Sequence, residues 1–265
     1  MTKSLQIFPS LLWEEYQSEV SGLHLDLPAT FLNLKEAEIS TSDFSFYTSV
    51  ASVYSSKIEG EAIELDSYVK HKKLGIEFLP DYTKKIDDLY AAYTYAQNQK
   101  LTAQGIAQAH KLLSKHIVAK QYQGRHRTHI MFVSTPKGKI EYVAPGIDEV
   151  NIEMEKFYHD LQVLLKKPMN TIEAFFYASW VHLVFVKIHP FNDGNGRSAR
   201  LLEKWFLAQK LGPQAWFVQS EQNYYQKHPL YYTNLRALGL EYPDLDYSKA
   251  LPFLMMLPHS LTLSD

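Results

Sequence analysis

His189-Pro190-Phe191-Asn192-Asp193-Gly194-Asn195-Gly196-Arg197-Ser198-Ala199-Arg200 brings an imidazole, a carboxylate, two glycines and two guanidinium groups into one turn between two helical patterns. Pro190 has no N–H and fixes φ, so a helix running up to His189 stops there and presents the imidazole at its end. Gly194 and Gly196 permit positive φ and allow backbone N–H groups to face inward as a nest, to which a helix starting near Arg197 adds its positive N-terminus. Asp193 is a hard oxygen ligand suited to Mg²⁺, which takes one or two carboxylates and leaves its other positions to phosphates and water. Arg197 and Arg200 stand three apart, on one helical face, where two planar forks can hold a polyphosphate. These parts describe a site for a nucleoside triphosphate.

The flanking patterns place the turn between helices. Ala174 to Ile188 is apolar on all faces, which predicts a central buried helix, and Asn170 with Glu173 three residues later resembles a capping box at its start. Within it His182 reads as a satisfied core histidine. Arg197 to Leu211 predicts an amphipathic helix through Leu201, Leu202, Trp205 and Phe206, stopped by Gly212 and Pro213.

The turn resembles the Fic family signature, His-Pro-Phe-x-Asp/Glu-Gly-Asn-Gly-Arg-x-x-Arg, with no departure at a specified position. The resemblance implies a mainly α fold, a Fic-type helical bundle with a small β-hairpin flap beside the active site. It also implies a nucleotidyltransferase, a protein adenylyltransferase moving AMP from ATP to a hydroxyl of a target protein with Mg²⁺ (or Mn²⁺). By the same resemblance His189 is the general base, Asp193 the metal ligand, and Gly194 to Gly196 the anion hole with Asn195 on the α-phosphate. Arg197 and Arg200 become the β/γ-phosphate clamps. In-line phosphoryl chemistry asks mainly for positioning and charge neutralisation, with an imidazole near its pKa as base, which agrees with the residue reading.

Bulk composition is consistent with such an enzyme. The chain has 265 residues, no cysteine, 27 Lys plus Arg against 29 Asp plus Glu, 11 Gly and 12 Pro. Absent cysteine removes disulfide scaffolds, thiolate metal sites and thiol nucleophiles, and makes the cytoplasm the default location. Balanced charge excludes a strong basic field, so no nucleic acid is expected as the main partner. Met1 to Trp13 is too quickly followed by Glu14 and Glu15 for a signal peptide, and Ala174 to Ile188, interrupted by His182 and Lys187, is too short for a membrane span. A membrane partner is therefore not expected.

Residues 1–40 read as an N-terminal extension with short helical pieces around Pro9 and Pro28, residues 41–240 as the main domain, and 241–265 as a C-terminal tail, with no second recognisable module expected over Ser248 to Asp265. Ser40-Thr41-Ser42-Asp43 signals a helix start, and Phe46, Val50, Val53, Tyr54 and Ile58 carry its pattern to Gly60, a helix of about 43–60. Glu59 lies at the negative end of that helix, where a carboxylate is disfavoured, so an external partner is expected for it. Ser55-Ser56-Lys57-Ile58-Glu59-Gly60 resembles the Fic inhibitory motif, Ser/Thr-x-x-x-Glu-Gly/Asn, with Ser55, Glu59 and Gly60 in its defining positions. That resemblance implies a class II member in which Glu59 pairs with Arg200 and obstructs the γ-phosphate.

Further helices are expected over 64–79, over 81–99 with Asp81 as N-cap and Ile86, Leu89, Tyr90, Tyr93 and Tyr95 inward, and over 102–118 with Thr102 as cap and Ile106, Ala109, Leu112, Leu113 and Ile117 inward. His110 and His116 read as structural. Thr128 to Val133 and Ile140 to Val143 are β-rich and separated by Ser134 to Lys139, a hairpin with a polar loop. As the family's flap it would dock a target segment through Ile130, Met131, Phe132, Val133, Ile140 and Tyr142. His126 and His129 point to opposite faces of an extended segment and are not expected to share a metal. Asp148 to Lys166 is helical up to Pro168. In Gln222 to Leu235, Tyr231 and Tyr232 are the candidates for a place beside the adenine, which the family fills with a tyrosine-bearing helix.

The leading reading is an autoinhibited protein adenylyltransferase whose partners are ATP and a target with a Ser, Thr or Tyr hydroxyl, with self-modification and a homo-oligomer left open. Alternatives are the reverse hydrolysis, in which Glu59 orients water to remove AMP, transfer of a different phosphate-linked group, and a non-catalytic nucleotide- or peptide-binding module.

Overall fold

The computed structural model describes residues 4–76, 78–134 and 138–262. It is mainly helical, as the sequence patterns require, around α8 (Thr171–Ile188) and α9 (Asn195–Leu211), which pack on each other across the loop that joins them. α8 is long and apolar enough by composition to cross a membrane, longer than the run anticipated, yet its surface lies almost wholly inside the protein. Asn170 Oδ1 accepts the Glu173 N–H (2.8 Å) at its start, while the Glu173 carboxylate pairs with Lys167 in place of the reciprocal capping bond.

The remaining elements wrap this pair. α1 (Trp13–Gly22) and α2 (Leu27–Leu32) lay aromatic edges on α8, through Trp13 on Phe176 and Phe31 on Phe175. The chain ahead of them is tied down by Asp160 of α7 (Ile147–Lys166), a fully buried carboxylate that accepts the N–H groups of Gln6, Ile7 and Phe8 at 2.7–3.0 Å. These bonds satisfy a charge that could not otherwise stay buried. Phe8 and Leu261 belong to one continuous apolar core, so the N-terminal extension and the tail are packed parts of it.

α3 (Phe46–Ile58) begins later than the small polar run suggests. Thr41 and Phe44 bridge to each other, which folds that run into a turn, and Ser45 caps the helix by accepting the Thr48 N–H. α4 (Leu65–Leu74) ends at Gly75 in the left-handed conformation, short of residue 79. α5 (Pro80–Gln97) starts on Pro80, whose φ suits a first helical position, so Asp81 lies in the first turn and is not the N-cap. Tyr90 and Tyr95 of α5 are half-buried, whereas Ile86, Leu89 and Tyr93 are fully inside. α6 (Ala103–Leu113) is capped by Thr102 as expected but stops five residues early, ahead of Ile117; Leu112 within it and Ile117 beyond it are both half-buried.

The hairpin is β1 (Phe132–Ser134) with β2 (Ile140–Val143), antiparallel, Phe132 opposite Val143 and Val133 opposite Tyr142. β1 is shorter than Thr128 to Val133 because the buried Arg127 guanidinium takes the His129 and Pro145 carbonyls, drawing the approach to the strand inward. Thr135, Pro136 and Lys137 of the expected polar loop lie outside the described residues, as do the last three residues of the tail. At Val143 the outer edge of β2 is taken by the Leu240–Glu241 segment, leaving β1 as the edge strand. α10 (Ser220–Gln226), α11 (His228–Ala237) and the short α12 (Leu251–Leu254) and α13 (Met256–His259) close the far side.

α9 corrects the expectation of an amphipathic helix. It starts at Asn195 and is buried on every face to Leu207, charged residues included. Lys204 meets Glu221 at 2.6 Å, and Glu203 accepts from Tyr224 at 2.7 Å and lies 2.8 Å from His182 Nδ1. Tyr93 donates to the other oxygen of Glu221 (2.5 Å). Polar side chains can occupy a core only with such partners.

Candidate active site

His189 is the C-cap of α8, with φ 52° and ψ 57°. A left-handed conformation in a residue with a side chain costs on the order of 1 kcal/mol or more and persists only where its surroundings enforce it. Arg127 supplies the enforcement: Nε donates to the His189 carbonyl (2.8 Å) and its backbone N–H to the Pro190 carbonyl (2.8 Å). His189 Nδ1 lies 3.0 Å from the Val186 carbonyl, which can only accept, so the proton sits on Nδ1 and Nε2 keeps its lone pair. Burial lowers the imidazole's pKa and Arg127 adds to that, against the raising influence of the Val186 carbonyl, Glu59 and Asp193, leaving the ring neutral at neutral pH.

The loop is braced from inside. Asn195 accepts the Phe191 N–H through Oδ1 and donates to the Phe191 carbonyl through Nδ2, both at 2.8 Å. Its side chain is therefore committed to the loop and not free for a phosphate, which corrects that expectation and leaves only its backbone N–H. Phe191 stacks on His110, ring centroids 3.6 Å apart, and His110 Nε2 donates to the Asp193 carbonyl (2.9 Å) while its Nδ1 accepts the Gly124 N–H (2.8 Å). His110 is structural, as expected, and what it structures is the turn between α8 and α9. Gly194 has φ 76°, and a Cβ there would meet Leu113 at 3.0 Å. Its N–H turns to Asp193 Oδ1 (2.6 Å), so the N–H groups left to an anion are the first ones of α9, which lack intrahelical acceptors. Gly196 does not adopt positive φ. It lies in the helix, and its lack of a side chain serves close approach: a Cβ would stand 2.6 Å from Glu59 Oε1.

Glu59 is the C-cap of α3, and its Oε1 lies 2.6 Å from Arg200 Nη2. Arg200, fully buried, also donates to the Ser55 hydroxyl (2.8 Å) and carbonyl (3.0 Å), so Ser55 and Glu59 of the expected motif converge on one guanidinium. Burial alone would raise the Glu59 carboxyl's pKa, but Arg200, with Arg197 and His189 behind it, outweighs burial and holds it below the ordinary value. The carboxylate occupies the N-terminal end of α9 beside Gly196, the position an anion would take.

A cavity of about 180 Å³ is lined by Glu59, His189, Asp193, Gly196, Arg200, Tyr231 and Tyr232, among others. Arg197 is not among them. Its guanidinium turns away to Glu61, at 2.7 and 2.6 Å from the two carboxylate oxygens, so the two arginines of the turn do not converge as one clamp. Tyr231 is buried, with its hydroxyl 3.0 Å from His182 Nε2 and 3.5 Å from Arg200 Nη1. Tyr232 is half-buried on the same wall. Of the flap residues, Ile130, Phe132 and Ile140 are exposed, Met131 is half-buried with its carbonyl accepting from Ala144, and Val133 faces the cavity. Tyr142 is buried and donates to the Lys187 carbonyl (2.5 Å), which makes it cavity wall and not a docking surface.

Four residues of the site escaped the sequence reading: Glu61, His110 as loop brace, Arg127, and Lys187. The Lys187 ammonium is buried over the Tyr142 ring, 4.1 Å from its centroid, and burial pushes it down to about 8. Its signal was present, as the one lysine inside the most apolar run of the chain.

Asp193 is exposed at the cavity, with one oxygen on the Gly194 N–H, and the described residues contain no cluster of three or more His, Cys, Asp or Glu able to cage an ion. One open carboxylate fits a Mg²⁺ ion completed by phosphates and water.

Residues 100–207 match the Fic/DOC family model. A protein adenylyltransferase Fic of Nematostella vectensis is 31% identical over 106 residues, 40% of this chain and 22% of that protein. The matched stretch thus spans less than a quarter of that relative, and α3 with Glu59 precedes the family-model region. A Fic family protein from Desulfovibrio desulfuricans superposes with a TM-score of 0.70 at 19% identity over 98% of this chain and 74% of the other. Fic-1 (residues 134–508) from C. elegans gives 0.66 at 20% identity over 95% and 71%. The turn that decided the sequence reading therefore lies in the matched region, residues 100–207, which is a Fic/DOC family region on a fold shared with solved Fic proteins.

Proposed function

We propose that the protein is an adenylyltransferase that moves AMP from ATP to a hydroxyl of a target protein and is held inactive by Glu59. The observation that carries this reading is the Glu59 carboxylate on Arg200 and against Gly196, an internal anion where the outer phosphates of ATP would bind. One anion occupies the cation that another needs, so nucleotide and Glu59 compete. With Glu59 displaced, Arg200 and the first N–H groups of α9 receive the phosphates, and His189 Nε2 takes the proton of the attacking hydroxyl. That oxygen bonds to the α-phosphorus as the bond to pyrophosphate breaks. Asp193 would hold Mg²⁺, which when bound neutralises phosphate charge. Tyr231, Tyr232 and Val133 line the rest of the nucleotide cavity, and β1, as the open edge, is the strand that would pair with a target segment. The relatives' name, protein adenylyltransferase, supports the reaction class.

Labelled ATP with a candidate target or with the protein itself tests this. Glu59→Gly is expected to raise AMP transfer, and His189→Ala in that background to lower it by about 10²–10⁴-fold, the usual contribution of a general base. Equal transfer by wild-type protein and Glu59→Gly removes the inhibition reading. Because burial keeps His189 neutral, transfer should hold as pH falls through 6.5 and decline only below it. The second reading, hydrolytic removal of AMP, rests on Glu59 sharing the cavity with His189. Loss of AMP from a pre-modified target with wild-type protein but not with Glu59→Gly would favour it.

A further inference from the structure

The turn that carries Glu59 presents a second carboxylate. Glu61 receives Arg197 Nη2 on both oxygens and lies 3.3 Å from Lys85 Nζ of α5, so it joins α9 and α5 at one point. The two pairs differ in access: Glu61 and Arg197 have side chains 5% and 4% exposed, whereas Glu59 is 28% exposed. Between the carboxylates the backbone is closed. Gly60 N–H bonds the Lys57 carbonyl (3.1 Å) and Glu61 N–H the Ser56 carbonyl (3.1 Å), the two bonds of a Schellman turn, which Gly60 allows with φ 97°. Just beyond, Ile63 is buried with Val53, Tyr68 and Ile86. A buried ion pair is costly to open on one side, because it leaves a bare charge, while a partly exposed carboxylate can leave with water.

We infer that Glu61 is a positioning residue for inhibition: anchored on Arg197, it fixes the turn that aims Glu59 at Arg200, and Arg197 serves as that anchor and not as a phosphate clamp. This rests on the reading of Glu59 as an inhibitory carboxylate. Release then takes the Glu59 side chain out of the cavity while the Glu61–Arg197 pair stays closed. Glu59 is the switch and Glu61 its mount.

The test measures ATP affinity and AMP transfer for Glu61→Gln, Arg197→Lys, Glu59→Gly and Glu59→Gly/Glu61→Gln, with thermal unfolding to establish that each variant is folded. Glu61→Gln is expected to tighten ATP binding and raise transfer by roughly 10-fold, the range of a typical coupling between sites, and to fall short of Glu59→Gly. In the Glu59→Gly background it should add nothing. Arg197→Lys keeps the charge, loses the paired bonds, and should also tighten ATP binding. Weaker ATP binding by Arg197→Lys would mean that Arg197 clamps phosphate, and an unchanged Glu61→Gln beside an activated Glu59→Gly would mean that Glu61 positions nothing. Either result overturns the inference and leaves the inhibition reading standing. A double variant more active than Glu59→Gly overturns it as well, since Glu61 would then compete directly. If Glu59→Gly itself is unchanged, the parent reading falls and this one with it.

Discussion

α8 and α9 flank the same loop, are equally buried, and are buried for opposite reasons. α8 is surrounded by apolar side chains, so its own composition accounts for its place in the core. α9 carries Arg197, Arg200, Glu203 and Lys204 into the interior, and each is there because a residue from another element meets it: Glu61, Glu59, His182 with Tyr224, and Glu221. The apolar helix delivers the His189 imidazole, and the charged helix delivers the Arg197 and Arg200 guanidinium groups. Holding charges in place without water costs desolvation, which the partner charges offset, and the result is a set of cations already oriented before a ligand arrives.

The contrast can be broken by substitution. Lys204→Ala strands Glu221 inside the core and should cost about 3–5 kcal/mol in chemical denaturation. Replacing both members, Lys204→Met with Glu221→Gln, keeps an acceptor for Tyr93 and should return close to wild-type stability. Leu183→Ala in α8 should cost about 2–5 kcal/mol through the cavity it leaves. No polar exchange elsewhere repairs that loss, and a double variant in α9 as unstable as Lys204→Ala would remove the distinction.

Acid sharpens the comparison at the loop. Burial lowers the His110 imidazole to about 4, against the raising effect of the Asp193 carbonyl, because the ring is packed under the turn as a neutral donor and acceptor. A folded pKa below the ordinary 6.5 means the unfolded chain takes up the proton first. The contribution is complete above 6.5 and is lost progressively as pH falls towards 4, about 3 kcal/mol in all. Unfolding midpoints measured across that window should fall for wild type, and His110→Gln should flatten the curve. The smallest effect is at the start of α8, where Asn170→Ala removes the bond to the Glu173 N–H and should cost about 1 kcal/mol by thermal denaturation.

Much of the site was legible before any coordinates. The stop at Pro190, the imidazole at the helix end, Gly194 in the left-handed region and the buried α8 follow from local constraints; the misplaced charge of Glu59 called for an outside partner, and only the resemblance to the inhibitory motif named Arg200 as that partner. The misreadings share one cause. Arg197 and Arg200 stand on one helical face, and nothing in their spacing says that Glu61 takes the first and Glu59 the second. Asn195 resembles a ligand group until Phe191 folds back onto both ends of its amide. Asp81 is a good cap by type, yet Pro80 one residue earlier had already begun the helix.

By itself the sequence determined what is short-range: where helices begin and end within a few residues, which residue must lack a Cβ, which helix is apolar throughout, and what chemistry the turn at 189–200 contains. Tertiary structure decided that Arg197 goes to Glu61 and seated Glu59 on Arg200, because a guanidinium chooses its carboxylate by distance and shielding from water, and those are set here by α3 and the turn after it, more than a hundred residues away along the chain.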